Sequence, residues 1–104
     1  MHENPFKYNH AMLIDDNEVD NFVNKKTLES IRFSEKIYMN TSARSAFEFL
    51  KNICFSKSQL SEIFPQVIFI DLNMPVMDGF EFIKCMVSLV GNHVSNFKMV
   101  VLTS

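Results

Sequence analysis

The sequence predicts an α/β fold in which a parallel sheet is wound with helices on both faces. Three observations carry that expectation. Short apolar runs stop abruptly at acidic or polar residues, amphipathic stretches of helical period separate these runs, and no hairpin signal joins one run to the next. Strands that alternate with helices need right-handed crossovers, and such crossovers make neighbouring strands parallel.

The first strand is read over residues 10–14, where Ala11, Met12, Leu13 and Ile14 form an apolar run that ends at Asp15, Asp16 and Asn17. An apolar run with a polar exit suits a strand buried on both faces. A helix follows. Val19, Phe22 and Val23 lie at helical spacing, with Leu28 and Ile31 continuing the stripe, while Glu18, Asp20, Asn24 and Lys25 are expected on the opposite, solvated face. Acidic residues in the first turn and lysines further on complement the helix dipole.

The second strand is read over 36–39, and any of Asn40, Thr41 or Ser42 can cap the helix after it. That helix shows a clear stripe of Ala43, Ala46, Phe47, Leu50 and Cys54. The mixed, polar stretch 56–64 is longer than the roughly 2 to 6 residues usual between helix and strand, leaving room for an extra helical turn or a partner contact. Val67, Ile68, Phe69 and Ile70 make the third strand, β-branched or aromatic throughout and ending at Asp71. Residues 73–79 form a loop, because Pro75 restricts its neighbour and Gly79 permits a tight backbone. A third helix is expected over 80–89 with Phe80, Ile83 and Val87 on one face, closed by Gly91 and Asn92. Residues 99–102 form a fourth strand, followed by Thr103 and Ser104.

Composition narrows the class. A chain of 104 residues, 47% hydrophobic, is expected to form one domain over 1–104. Ten basic and twelve acidic residues are dispersed, so the concentrated positive field of a nucleic-acid binder is missing, and the Lys25, Lys26 pair reads as a solvated helix face. Cys54 and Cys85 are not at zinc-ligand spacing and read as small buried hydrophobes. His2, His10 and His93 do not form a metal-binding pattern either. No apolar run approaches the roughly 20 residues of a membrane span, and the polar first residues do not resemble a signal peptide, which points by default to the cytoplasm.

Chemistry-bearing side chains gather at the strand ends: Asp15 and Asp16 after the first strand, Asp71 after the third, Thr103 after the fourth. In open α/β sheets the ligand crevice lies beyond the carboxyl ends of the strands, where strand order reverses. With order 2-1-3-4 that point falls between the first and third strands, so Asp15, Asp16 and Asp71 are expected to converge. Three carboxylates at that range repel, which raises a pKa or recruits a cation. An oxygen-only donor set with room for water suits Mg²⁺, whose usual companion is phosphate. Each motif alone has a plainer reading: Asp15, Asp16 and Asn17 as a helix cap, Asp71 as a turn former.

Taken jointly and in this order, the motifs resemble the receiver domain of two-component response regulators. Met12 to Asn17 looks like that family's first strand and acidic pair. Residues 68–79, Ile-Phe-Ile-Asp-Leu-Asn-Met-Pro-Val-Met-Asp-Gly, look like its phosphoacceptor strand and loop, and Val100 to Ser104 is similar to its fourth strand and switch hydroxyl. The likeness covers residues 10–104. It implies a flavodoxin-like, three-layer, doubly wound sheet that lacks the fifth strand and the last two helices. It also implies that Asp71 accepts a phosphoryl group from a phosphohistidine on a sensor histidine kinase or a histidine phosphotransfer protein. In that scheme Asp16 and Asp71 bind Mg²⁺ directly, the backbone carbonyl of Asn73 adds a ligand, and Asp15 holds a coordinated water. Thr103 turns toward the phosphoryl group, and the Asn73 side chain tunes its hydrolysis.

The family's next strand ends in a lysine that has no counterpart before Ser104. A shortened domain would leave the fourth strand as an open edge, which two copies can cover as a homodimer. The absent lysine also supports an alternative, a phosphorylation-silent interaction module with the same fold. A haloacid-dehalogenase-type phosphatase expects a second Asp two residues after the nucleophile, and position 73 is Asn. Met74, Met77 and Met86 read as core fillers before they read as a docking surface.

Overall fold

The computed structural model describes residues 5–55, 64–71, 79–90 and 98–102, apart from the side chains at 54, 55, 79, 80, 89 and 90. Seven elements alternate: β1 (Tyr8–Ile14), α1 (Glu18–Ser30), β2 (Ser34–Asn40), α2 (Ala43–Phe55), β3 (Val67–Asp71), α3 (Gly79–Val90) and β4 (Lys98–Leu102). All strand pairs are parallel, in the order β2-β1-β3-β4. The chain steps from β1 outward to β2, then back across β1 to β3. Right-handed connections therefore place α1 on one face and α2 and α3 on the other.

The pleat of β1 serves both faces. Met12 and Ile14, with Ile68 and Ile70 of β3, join Ala43, Ala46, Leu50 and Ile53 of α2 and Phe82 and Met86 of α3 in one buried cluster. Ala11 and Leu13, which point the other way, are buried as well. Of the α2 stripe expected from its spacing, Ala43, Ala46 and Leu50 pack, with Phe47 partly buried beside them, and the Cys54 side chain lies outside the described residues. Phe64 and Pro65 are buried where the chain enters β3, and Gln66 ties the amino ends of the strands, donating its N–H to His10 O at 2.9 Å and accepting from Lys98 N at 2.8 Å.

Two helices sit in a different phase from the one their apolar spacing suggests. On α1, Val19, Phe22, Val23 and Ile31 are exposed, Phe22 by 55%, whereas Asn21 is buried and Asn24 and Lys25 are half-buried. The helix lies on β1 and β2, and its less exposed side mixes Asn21, Asn24 and Lys25 with Leu28 of the expected stripe, while Glu18 and Asp20 are solvated as expected. The physical reason is Asn21, which satisfies two backbone carbonyls at the sheet end, as described below. On α3, Phe82 and Met86 are fully buried while Val87 is 66% exposed and Ile83 half-buried, so the packed face is offset from the one expected through Ile83 and Val87, and the Phe80 side chain of that expectation lies outside the described residues. This helix is apolar around most of its circumference, and periodicity selects no single face in such a segment. Cys85 is half-buried, less enclosed than expected, at the border of the core.

Helix α1 ends in a Schellman turn: Phe33 N donates to Leu28 O at 3.0 Å and Arg32 N to Glu29 O at 3.1 Å. Arg32 occupies the left-handed position there, with φ of 53°.

Candidate functional site

The register of β1 against β3 builds the site. Ile14 lies opposite Ile70, so the residues that follow them, Asp15 and Asp71, emerge side by side at the carboxyl end of the sheet. Carboxylate oxygens of Asp15, Asp16 and Asp71 all lie within 4.8 Å of one another. Asp15 is buried, Asp71 half-buried and Asp16 exposed, which gives the cluster a closed base and an open mouth.

The turn after β1 divides its labour. Asn17 is the N-cap of α1, with its Oδ1 accepting from Val19 N at 2.9 Å and Asp20 N at 3.1 Å. The plainer reading of all three residues as a cap thus applies to Asn17. Asp15 is held by its surroundings: its N–H donates to Asn40 O at 3.1 Å and its Oδ1 accepts from Asn17 N at 2.9 Å. Burial pushes the Asp15 carboxyl above its ordinary value, the Asn17 N–H opposes this, and the charges of Asp71, Asp20 and Asp16 push it further up.

Asn21 escaped the sequence reading. Its Nδ2 donates to Asp15 O and to Asn40 O, each at 3.0 Å. A signal was present: asparagine is a poor choice inside a helix unless its amide has work to do, and this one stands one helical turn after the cap. Beside it a cleft of about 430 Å³ runs between Glu18 and Phe22 of α1 and Met39, Asn40, Thr41 and Ser45.

Asn73 and Thr103, with Met74, Met77, His2, His93 and most of the 56–64 and 73–79 loops, lie outside the described residues. Lys98 starts β4 at the end of the sheet away from Asp71, with its ammonium 3.3 Å from the Tyr8 hydroxyl. His10 stacks on Tyr38 with ring centroids 5.8 Å apart, remote from the acidic cluster on β1.

The donor set fits a hard divalent cation. Three carboxylate oxygens converge, one of them raised in pKa partly by the other charges, and a cation among them offsets that repulsion. The exposed side of Asp16 leaves room for water and a phosphate oxygen, the pattern Mg²⁺ prefers.

No family model and no curated protein sequence matches the chain. Solved structures do. The receiver domain of the histidine kinase CKI1 from Arabidopsis thaliana, complexed with Mg²⁺ and BeF3⁻, superposes with a TM-score of 0.81 at 16% identity, over 91% of this chain and 65% of that one. A CheY-like response regulator receiver protein from Methanospirillum hungatei gives 0.70 at 24% identity, over 93% and 65%. The MaeR response regulator bound to beryllium trifluoride gives 0.70 at 17% identity, over 92% and 67%. The fold is the flavodoxin-like receiver fold. The chain spans about two thirds of the length of the receivers it matches. Among the described residues, no helix is long and apolar enough to cross a membrane.

Proposed function

We propose that residues 1–104 form a receiver domain of a two-component phosphorelay that accepts a phosphoryl group on Asp71 in a Mg²⁺-dependent reaction and signals through protein contacts. The observation that carries this reading is the convergence of Asp15, Asp16 and Asp71 at the carboxyl ends of adjacent strands. The likeness to receivers solved with Mg²⁺ and BeF3⁻ supports it.

In the proposed reaction a carboxylate oxygen of Asp71 attacks phosphorus in line with the departing imidazole nitrogen of a phosphohistidine. The phosphorus–nitrogen bond breaks, the imidazole keeps the electron pair, and an acyl phosphate forms on Asp71. Asp16 and Asp71 would hold Mg²⁺ directly, with the backbone carbonyl of Asn73 as a further ligand, and Asp15 would reach it through water. Bound there, the ion would supply charge neutralisation at the phosphoryl oxygens. Asp15 and Asp16 thereby let the anionic donor approach the anionic Asp71. Thr103 hydrogen-bonds the product, and Asn73 adjusts how fast water removes it.

The phosphodonor is a sensor histidine kinase or a histidine phosphotransfer protein. A second copy is a further partner in this reading, because β4 is a sheet edge among the described residues and exposes Val100 and Val101; the expected outcome of size exclusion with light scattering is a dimer mass, and a monomer mass contradicts the pairing. The function is tested by mixing the chain with a purified, radiolabelled phosphohistidine phosphotransfer domain and Mg²⁺. Label passing to the wild type, with little passing to Asp16→Asn, is expected. Equal labelling of the two removes the acidic pair from the reaction.

A further inference from the structure

Helix α1 meets the sheet through an amide. Asn21 is 2% exposed and is the buried residue of α1. Its Nδ2 spends one hydrogen on Asp15 O and the other on Asn40 O, each at 3.0 Å. Asn40 O also accepts from Asp15 N at 3.1 Å, so one side chain closes the junction between the ends of β1 and β2.

Stability alone does not select asparagine at this position. Its Oδ1 is buried with no hydrogen-bond partner among the described residues, a state that opposes folding. A leucine of similar size would carry no such atom. What the amide provides is direction: it clamps the Asp15 peptide from the backbone side, while the Asn17 N–H holds the Asp15 carboxylate at 2.9 Å. The clamp has a force to resist, since carboxylate oxygens of Asp15, Asp16 and Asp71 lie within 4.8 Å of one another and like charges at that range repel. Unclamped, the turn relieves that repulsion by moving Asp15 and Asp16 away from Asp71.

We infer that Asn21 is a positioning residue of the acidic site, fixing the Asp15 peptide against the end of β2 so that Asp15 and Asp16 stay aimed at Asp71. This rests on the reading of that cluster as a Mg²⁺ site. It adds to that reading a residue on the far side of the backbone, which touches neither ion nor phosphate.

The experiment is calorimetric titration of Mg²⁺ into the whole chain, comparing wild type with Asn21→Leu, which keeps bulk but no donor, and Asn21→Ser, which keeps one short donor. Asp16→Asn is the control for the site itself. Thermal unfolding in chelator is measured alongside. The expected result is a Mg²⁺ dissociation constant about tenfold larger for Asn21→Leu, in the range known for residues that orient metal ligands, with Asn21→Ser between the two. A purely structural role moves the unfolding temperature and leaves the Mg²⁺ affinity of the folded protein unchanged. Wild-type affinity in both variants overturns the inference. If Asn21→Leu does not fold, Asn21→Ser decides by the same criterion, and hydrogen exchange at the Asp15 amide reports whether the clamp has opened; an opened clamp with unaltered affinity also overturns it. A wild type whose Mg²⁺ binding is indifferent to Asp16→Asn refutes the reading of the site instead, so the two failures are distinct.

Discussion

A carboxylate oxygen of Asp71 lies within 4.8 Å of one on Asp15, because β1 and β3 are neighbours in a register that pairs Ile14 with Ile70. The Asp15 carboxyl is raised above 3.8 by burial first and by its acidic neighbours after that. The folded chain therefore holds this proton more tightly than the unfolded chain does, and Asp15 subtracts stability as pH rises through the shifted value. In chelator, Asp15→Asn is expected to melt higher than wild type at pH 7, and the gap to close once pH falls below about 3.8, where both states carry the proton. Melting curves at the two pH values check it.

His10 titrates in the opposite sense. Burial, and then Lys36, pushes it below 6.5, with Glu35 opposing. Between the lowered value and 6.5 the unfolded state binds more protons, so this contribution is complete above 6.5 and is lost as pH falls through the window. His10→Phe keeps a ring to stack on Tyr38 and removes the titration. The urea stability of His10→Phe relative to wild type should grow as pH drops from 8 to 5; a difference that stays constant contradicts the assignment.

The phase of α3 is testable by two neighbouring truncations. Met86 is fully buried against the sheet and Val87 is mostly exposed. Met86→Ala should cost about 2–5 kcal/mol, and Val87→Ala no more than about 0.5 kcal/mol. Denaturant midpoints that reverse this order would restore the face expected from Ile83 and Val87.

Arg32 holds a left-handed conformation at the Schellman turn with φ of 53°. Glycine adopts that conformation without the clash of a Cβ, at the expense of a floppier unfolded chain. Arg32→Gly is expected to stabilise by up to about 1 kcal/mol and Arg32→Val to destabilise, since β-branching resists positive φ. Equal melting temperatures for the two variants would contradict the turn.

The sheet was legible in the sequence because each strand is a short apolar run with a polar exit, and the site was legible because those exits carry Asp15, Asp16 and Asp71. Strand order then follows from crossover handedness and the likeness of the motifs. Helix orientation was less legible. On α1 the expected stripe of Val19, Phe22 and Val23 faces outward, since two hydrogen bonds from Asn21 orient the helix on β1 and β2. Hydrophobic periodicity registers apolar residues and passes over a buried amide. On α3 two overlapping apolar stripes compete, and contact with α2 selects Phe82 and Met86.

The proposed role of Asp71 as a Mg²⁺-dependent phosphoacceptor is open to intact-mass spectrometry after incubation with a small phosphodonor. One added phosphoryl group is expected in the presence of Mg²⁺, lost with chelator and absent from Asp71→Asn. No adduct on the wild type, or the same adduct on Asp71→Asn, would contradict it.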